Sequence, residues 1–379
     1  MRELHARLLD GADAEALRIE VAPVAAGGPA ERLLLAEIDL VAGHPERALD
    51  RIAALPPASA AAPVSRLVAG RAEEMRGDLV AAALHYRAAV TTQPAAAARY
   101  RELELEALTT LEGRIDQAIA AGRIERARAD LATLESWRPG EPSTLRRSAR
   151  YAAAAGNGER ELAALRELSA RADESFAEQI RRGSLEVQLG DAAAGLALLE
   201  RLAAERGDDP AVRGAWLAAR FRFRLVNSPE PVRKSARSTQ LTRADFARLL
   251  YWLVPEVRAS RAVAPQIATD VLDHPARDEV VRVVNLGLMA LEPSLRRFEP
   301  ERPLTRLDAF RALLRIADSE LGEGAATRIE RTGALCARAA AAGWVSEAAE
   351  CLPAAAVSGA EATRWIRQVV EPGAREDAG

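Results

Sequence analysis

The chain has 379 residues, more than one ordinary compact core holds, so two units are expected. Small apolar residues, alanine foremost, make up most of a 49% hydrophobic fraction, and aromatics are only 4%. That mix suits close helix-on-helix packing and is poor material for sheet. Charge is nearly balanced at a formal net of −3, which excludes a global field drawing the chain to nucleic acid or anionic lipid; Lys234 is the single lysine.

Residues 1–29 read as an N-terminal helix, Glu3–Leu17, and a Pro/Gly loop, Ala22–Pro29. The opening Met1-Arg2-Glu3-Leu4-His5 lacks the apolar core of a signal peptide, and no 18-residue apolar run predicts a transmembrane helix. The location expected is therefore the cell envelope or periplasm if a signal has been removed, and otherwise the cytoplasm.

From residue 30 the signal is a repeat. Gly43, Gly77, Gly122, Gly156 and Gly190 close helix-like stretches, with steps of 34, 45, 34 and 34 residues. The odd step exceeds the others by 11 residues, about three helical turns, so one helix can lengthen without rotating its apolar face. Glycine at these points takes the left-handed conformation that ends a helix, as at Gly77-Asp78 and Gly190-Asp191. The clearest copy is Val64–Pro94, with Gly70, Gly77, Ala82, Tyr86, Ala89 and Pro94 at its small, turn, aromatic and terminal positions. Weaker copies keep Ala36, Gly43 and Ala48, then Gly122, Ala127, Leu131 and Pro139, then Ala149 and Gly156, then Gly183 and Gly190.

Over residues 30–226 this pattern resembles the tetratricopeptide repeat. The resemblance implies an all-α, right-handed solenoid whose concave groove, lined by the first helix of each pair, takes a protein or peptide partner. Its groove positions fall on Leu67, Arg71 and Glu74, on Arg146 and Arg150, and on Ile180, Ser184 and Val187. Arginine there could fork onto a peptide carboxylate; the plainer alternative is a solvated helix face in a chain whose cations are nearly all arginine.

Pro210–Pro229 contains no acid and carries Arg213, Arg220, Arg222 and Arg224 beside Trp216, Phe221 and Phe223. Interleaved aromatics and arginines can engage nucleic acid, but the mixed charge elsewhere argues against it. The segment reads instead as a capping helix that closes the stack. Residues 227–240, NSPEPVRKSARSTQ, bear proline and serine without an apolar period and read as a linker.

Over 241–370 three helix openers recur: Leu241-Thr242-Arg243-Ala244-Asp245, Leu304-Thr305-Arg306-Leu307-Asp308 and Val357-Ser358-Gly359-Ala360-Glu361. Each sets an apolar residue before a Thr or Ser N-cap, with an acid three positions after the cap, the pattern of a capping box. Asp270-Val271, His274, Gly287, Phe298-Glu299-Pro300 and Thr305-Arg306 follow in the order of the S-layer homology motif, which this module resembles in degenerate form. The resemblance implies a helical bundle of three motifs holding cell-wall polysaccharide, with Thr242, Arg243, Thr305 and Arg306 as candidate glycan-binding residues. Pro275 stands where that motif has tryptophan, and Gly359 where its third arginine would be. Residues 371–379 read as a disordered tail.

Cys336 and Cys351 are either two small buried residues or a disulfide. Four scattered histidines offer no metal-ligand spacing, and neither cysteine has a histidine companion. No phosphate loop, G-x-S-x-G or H-E-x-x-H occurs, so neither an enzyme nor a cofactor is expected. The expected function is a non-catalytic scaffold or adaptor of the bacterial cell envelope. The alternative is an intracellular interaction protein whose C-terminal module is purely structural.

Overall fold

The computed structural model describes residues 28–261, 266–318, 332–347 and 351–371, with Asp13, Ala16, Leu17 and Ile19. Most of the expected N-terminal helix and loop, and residues 372–379 of the expected tail, lie outside the described residues. The fold is all-α: the described residues form nineteen helices and no strand, with two isolated bridges. The chain divides into two compact units, Met1–Ala170 and Arg171–Gly379. The 30–226 region therefore does not form one body. Its last three helices belong to the second unit, because α12 (Pro210–Val226) contributes Phe221 to the C-terminal core.

In the first unit, helices pack on their sequence neighbours in a solenoid-like series. They are α1 (Pro29–Val41), α2 (Pro45–Ala53), the single turn α3 (Pro57–Ala60), α4 (Pro63–Met75), α5 (Leu79–Ala89), α6 (Pro94–Ala120), α7 (Ile124–Trp137), α8 (Pro142–Ala154) and α9 (Gly158–Ala170). Proline opens six of them, where its missing N–H costs no helical bond and its fixed φ suits the first turn. Gly43, Gly77, Gly122 and Gly156 turn the chain back at φ of 80°, 79°, 67° and 68°. The lengthened step is α6, 27 residues and about 40 Å long.

Small residues bring neighbouring helices together. A Cβ on Gly70 of α4 would lie 2.6 Å from Tyr86 of α5, so the glycine is the seat for that ring. Ala36, Ala48, Ala82 and Ala127, each at a repeat position, are fully buried. Arginine–carboxylate pairs then tie successive helices, Arg51 to Asp39, Arg114 to Asp130 and Arg138 to Glu104, and Arg99 reaches across α5 to Glu74.

The second unit opens with α10 (Phe176–Leu189) and α11 (Ala192–Glu205), which pack with α12. A Cβ on Gly195 would meet the Gly183 carbonyl at 2.6 Å, a closeness only glycine allows. Gly190 departs from the sequence expectation: its φ is −120° and not left-handed. The next helix is started instead by Asp191, whose side chain accepts from the backbone N–H groups of Ala193 and Ala194.

Residues 227–240 are not a linker. They contain α13 (Glu230–Arg237), which buries Val232 and Ser235 against α14 (Arg243–Leu253) and α19 (Gly359–Val370). Eight residues with one large apolar side chain show no period, and so short a helix exists by tertiary packing. The short α15 (Pro255–Ala259), then α16 (Arg277–Asn285), α17 (Arg306–Ala317) and α18 (Thr332–Ala341) complete the unit.

Its centre is a ring of the three helix openers. Leu241, Leu304 and Val357 are fully buried. Just inside the three helices, the N–H of Arg243 donates to Arg302 O at 3.0 Å, that of Arg306 to Ala355 O at 2.9 Å, and that of Gly359 to Ser238 O at 2.8 Å. Each opener leans on the next, and the third returns to the first. Around it, Phe310 contacts Trp344 and Trp365 at centroid distances of 5.6 and 5.0 Å. The Trp365 indole N–H donates to Trp344 O at 3.2 Å. Cys336 and Cys351, both buried, are joined as a disulfide.

Candidate protein-binding surfaces

In the first unit the groove positions separate by environment. Leu67 is half-buried against the cluster of Ala82, Tyr86 and Leu103. Glu74 is committed inside the protein: it accepts from the Tyr86 hydroxyl at 2.8 Å and from the Arg99 guanidinium. The Arg99 hydrogen bonds outweigh burial and hold its pKa below the ordinary value, while burial and the bond to Glu74 push Tyr86 up. Arg146 is half-buried, and Arg150 is exposed with Asp116 at 3.5 Å. Arg71 alone of these positions is an exposed cation with no hydrogen bond or ion pair among the described residues.

In the second unit two of the three groove positions meet in one cleft of about 310 Å³ between α10, α12 and α19. Val187 is buried in its floor and Ser184 stands beside it, its hydroxyl donating back to Ile180 O at 2.9 Å. The third, Ile180, is half-buried in the adjoining cluster of Val187, Leu199 and Leu202. Ala215, Ala218, Ala219, Phe221 and Leu225 extend the apolar floor along α12, and Gln188, Arg222, Thr363, Arg364 and Arg367 complete the lining. None of the lining residues is acidic.

The α19 side of this cleft was invisible in sequence, because α19 begins about 170 residues after α10 ends and reads as an ordinary amphipathic helix. The α12 side had a signal in the acid-free run Pro210–Pro229. That helix is no simple end cap. Arg224 is half-buried and donates to Glu371 at 3.0 Å, and Arg220 lies over the Trp216 ring at 4.7 Å. Glu371, expected to begin the tail, is 3% exposed with Oε2 lacking a partner, and burial raises its pKa to about 7.

The four candidate glycan residues sit within the ring. Thr242 and Thr305 cap α14 and α17, accepting from the N–H of Asp245 and of Asp308. Arg243, 5% exposed, lies against the Phe298 ring and donates to Phe298 O at 2.8 Å, Ala290 O at 2.7 Å and Asp308 at 3.4 Å. Arg306 donates to Glu361 at 2.8 Å. Each motif arginine thus reaches the acid three positions after the N-cap of the next opener; Glu361 closes a full capping box with Ser358, whereas Asp308 does not with Thr305. The third such contact is absent for a visible reason. A Cβ on Gly359 would collide with Ser235 O and Ala236 of α13, and Ser235 itself donates to Asp245 at 2.7 Å. Burial works to raise the Asp245 pKa, but hydrogen bonds from Ser235 and Thr242 outweigh it and hold the group low. Asp270 fixes the loop between motifs, accepting from the N–H of Phe298 at 2.8 Å and of Glu299 at 2.7 Å. Arg243 is consequently spent on the fold and not open to a ligand.

No protein-family model matches the chain, and no curated protein matches it. Solved structures that match include the Assembly Chaperone of RpL4 (Acl4), residues 1–338. Its TM-score is 0.27 at 17% identity, covering 59% of this chain and 94% of that one. At that level the likeness carries no argument about fold or partner. Among the described residues no helix is long and apolar enough to cross a membrane.

Proposed function

We propose that the protein is a non-catalytic interaction scaffold that binds a protein or peptide partner on its helical-repeat surfaces. The observation that carries this reading is the cleft between α10, α12 and α19. It pairs an apolar floor with arginines and no acid, and it uses positions where a tetratricopeptide-like repeat would present its groove. Such a surface offers apolar area to bury and cations to orient a partner. The buried Cys336–Cys351 disulfide supports an oxidising compartment, and with it the envelope side of the reading. The ring resembles a degenerate S-layer homology bundle, and its arginines serve cohesion, which favours a structural module over a polysaccharide anchor.

The test is selection of twelve-residue peptides from a random displayed library on the immobilised full chain, with free chain as competitor. Competed, reproducible binders support the scaffold reading, whereas a library that yields none overturns it. Mass measurement of natively produced protein under non-reducing conditions checks the compartment: free thiols at both cysteines would remove that argument.

A further inference from the structure

We infer that the α10–α12–α19 cleft is specific for an acidic peptide segment carrying aliphatic anchors. This deepens the scaffold reading and rests on it. Val187, Ala219 and Phe221 are each 4% exposed and form a floor with no polar group to satisfy, which suits branched or straight aliphatic side chains. At the rim, Arg222 and Arg364 are exposed and form no ion pair among the described residues; Arg222 donates to the Gln188 carbonyl at 3.5 Å.

Many arginines elsewhere stand beside carboxylates, as Arg99 does with Glu74 and Glu102, and Arg302 with Glu299 and Asp308. Others, Arg47, Arg71 and Arg213 among them, are exposed with no ion pair among the described residues, and what sets Arg222 and Arg364 apart is their place at the edge of an apolar floor. Two guanidiniums flanking an apolar floor with no acid in its lining leave a positive rim that an incoming anion would neutralise. Guanidinium forks match carboxylates in a bidentate way.

Phosphate-bearing polymers carry the same charge, but the floor discriminates against single-stranded nucleic acid. Base stacking needs an open aromatic face, whereas Phe221 is buried and the Trp216 ring is covered by Arg220. The cleft also spans two elements far apart in sequence, α12 and α19, so an occupant bridges the repeat helices to the C-terminal ring of the same unit.

The peptides recovered from the displayed library supply the probe. Their binding to the full chain is measured by fluorescence anisotropy, alongside the charge-reversal double variant Arg222→Glu/Arg364→Glu and the cleft-filling variant Ala218→Trp. A single-stranded oligonucleotide is the polyanion control. Enrichment of Asp or Glu around Leu, Ile or Val, with affinity falling about tenfold or more in the charge-reversal variant, supports the inference. Both arginines are exposed and without ion pairs among the described residues, so this variant should keep wild-type circular dichroism and melting. Recovered peptides without acids, peptides that bind both variants as tightly as wild type, or an oligonucleotide that displaces them with higher affinity would overturn it. These outcomes leave the scaffold reading standing, which falls only when no peptide binds at all.

Discussion

The two units solve the same problem, the cohesion of short helices poor in aromatics, by opposite means. The first divides its apolar interior into small clusters, each shared by neighbouring helices, and ties them with arginine–carboxylate pairs between adjacent repeats. The second gathers one large, mainly aliphatic core, beside a smaller cluster at Val187, Leu199 and Leu202, behind a ring of openers joined over long sequence distances, as Gly359 is to Ser238. Loss of one contact in a neighbour-to-neighbour stack is a local matter, whereas loss of one contact in a closed ring is felt throughout it. Arginine marks the contrast. In the first unit it lies over the surface and pairs across repeats, while in the ring Arg243 is built into the interior.

The comparison breaks most visibly at Arg243. Arg243→Ala removes hydrogen bonds to Phe298 O, Ala290 O and Asp308 and leaves buried carbonyls unmet, an expected loss of about 3–5 kcal/mol in the second unit. Denaturant unfolding can separate the units, because Trp137 is the single tryptophan before residue 171 and the other four lie after it. A variant as stable as wild type would show that the arginine is not structural and would reopen the glycan reading. Removing the disulfide by Cys336→Ala/Cys351→Ala should cost about 3 kcal/mol in the second unit alone, the loop between the cysteines being 15 residues. An equal loss in the first unit would contradict the assignment of the disulfide's effect to the second.

Smaller effects sharpen the picture. Burial raises the folded-state pKa of Glu371 to about 7, above its unfolded value near 4.5. The stability it contributes is therefore complete below pH 4.5 and is lost as pH rises through 7. Stability of wild type relative to Glu371→Gln should fall across that window, at most about 1.4 kcal/mol per pH unit, and a flat difference would refute the assignment. Glu74 runs the other way. Its pKa is lowered by the Arg99 hydrogen bonds, so its contribution to the first unit is present at neutral pH and lost on acidification below the unfolded value. Smallest is Tyr86→Phe, which deletes one hydroxyl donor to Glu74 and should cost about 1 kcal/mol by chemical denaturation, with the ring still seated on Gly70. A loss of several kcal/mol would mean that the hydroxyl, and not the ring, holds α4 to α5.

Amino-acid order by itself determined the helical class, the turns at Gly43, Gly77, Gly122 and Gly156, the long α6, the small Gly70 and aromatic Tyr86 positions and the three N-caps of the ring. All are set within about 30 residues by backbone conformation, capping and side-chain size, which is local information that a single sequence carries. Tertiary structure decided that α10–α12 join the C-terminal body and that residues 230–237 form a helix. It also decided that Arg243 turns inward and that α19 completes the cleft begun by Ser184 and Val187. Those outcomes depend on which distant surfaces meet, and a helix face reads the same in sequence whether its complement is water or another helix.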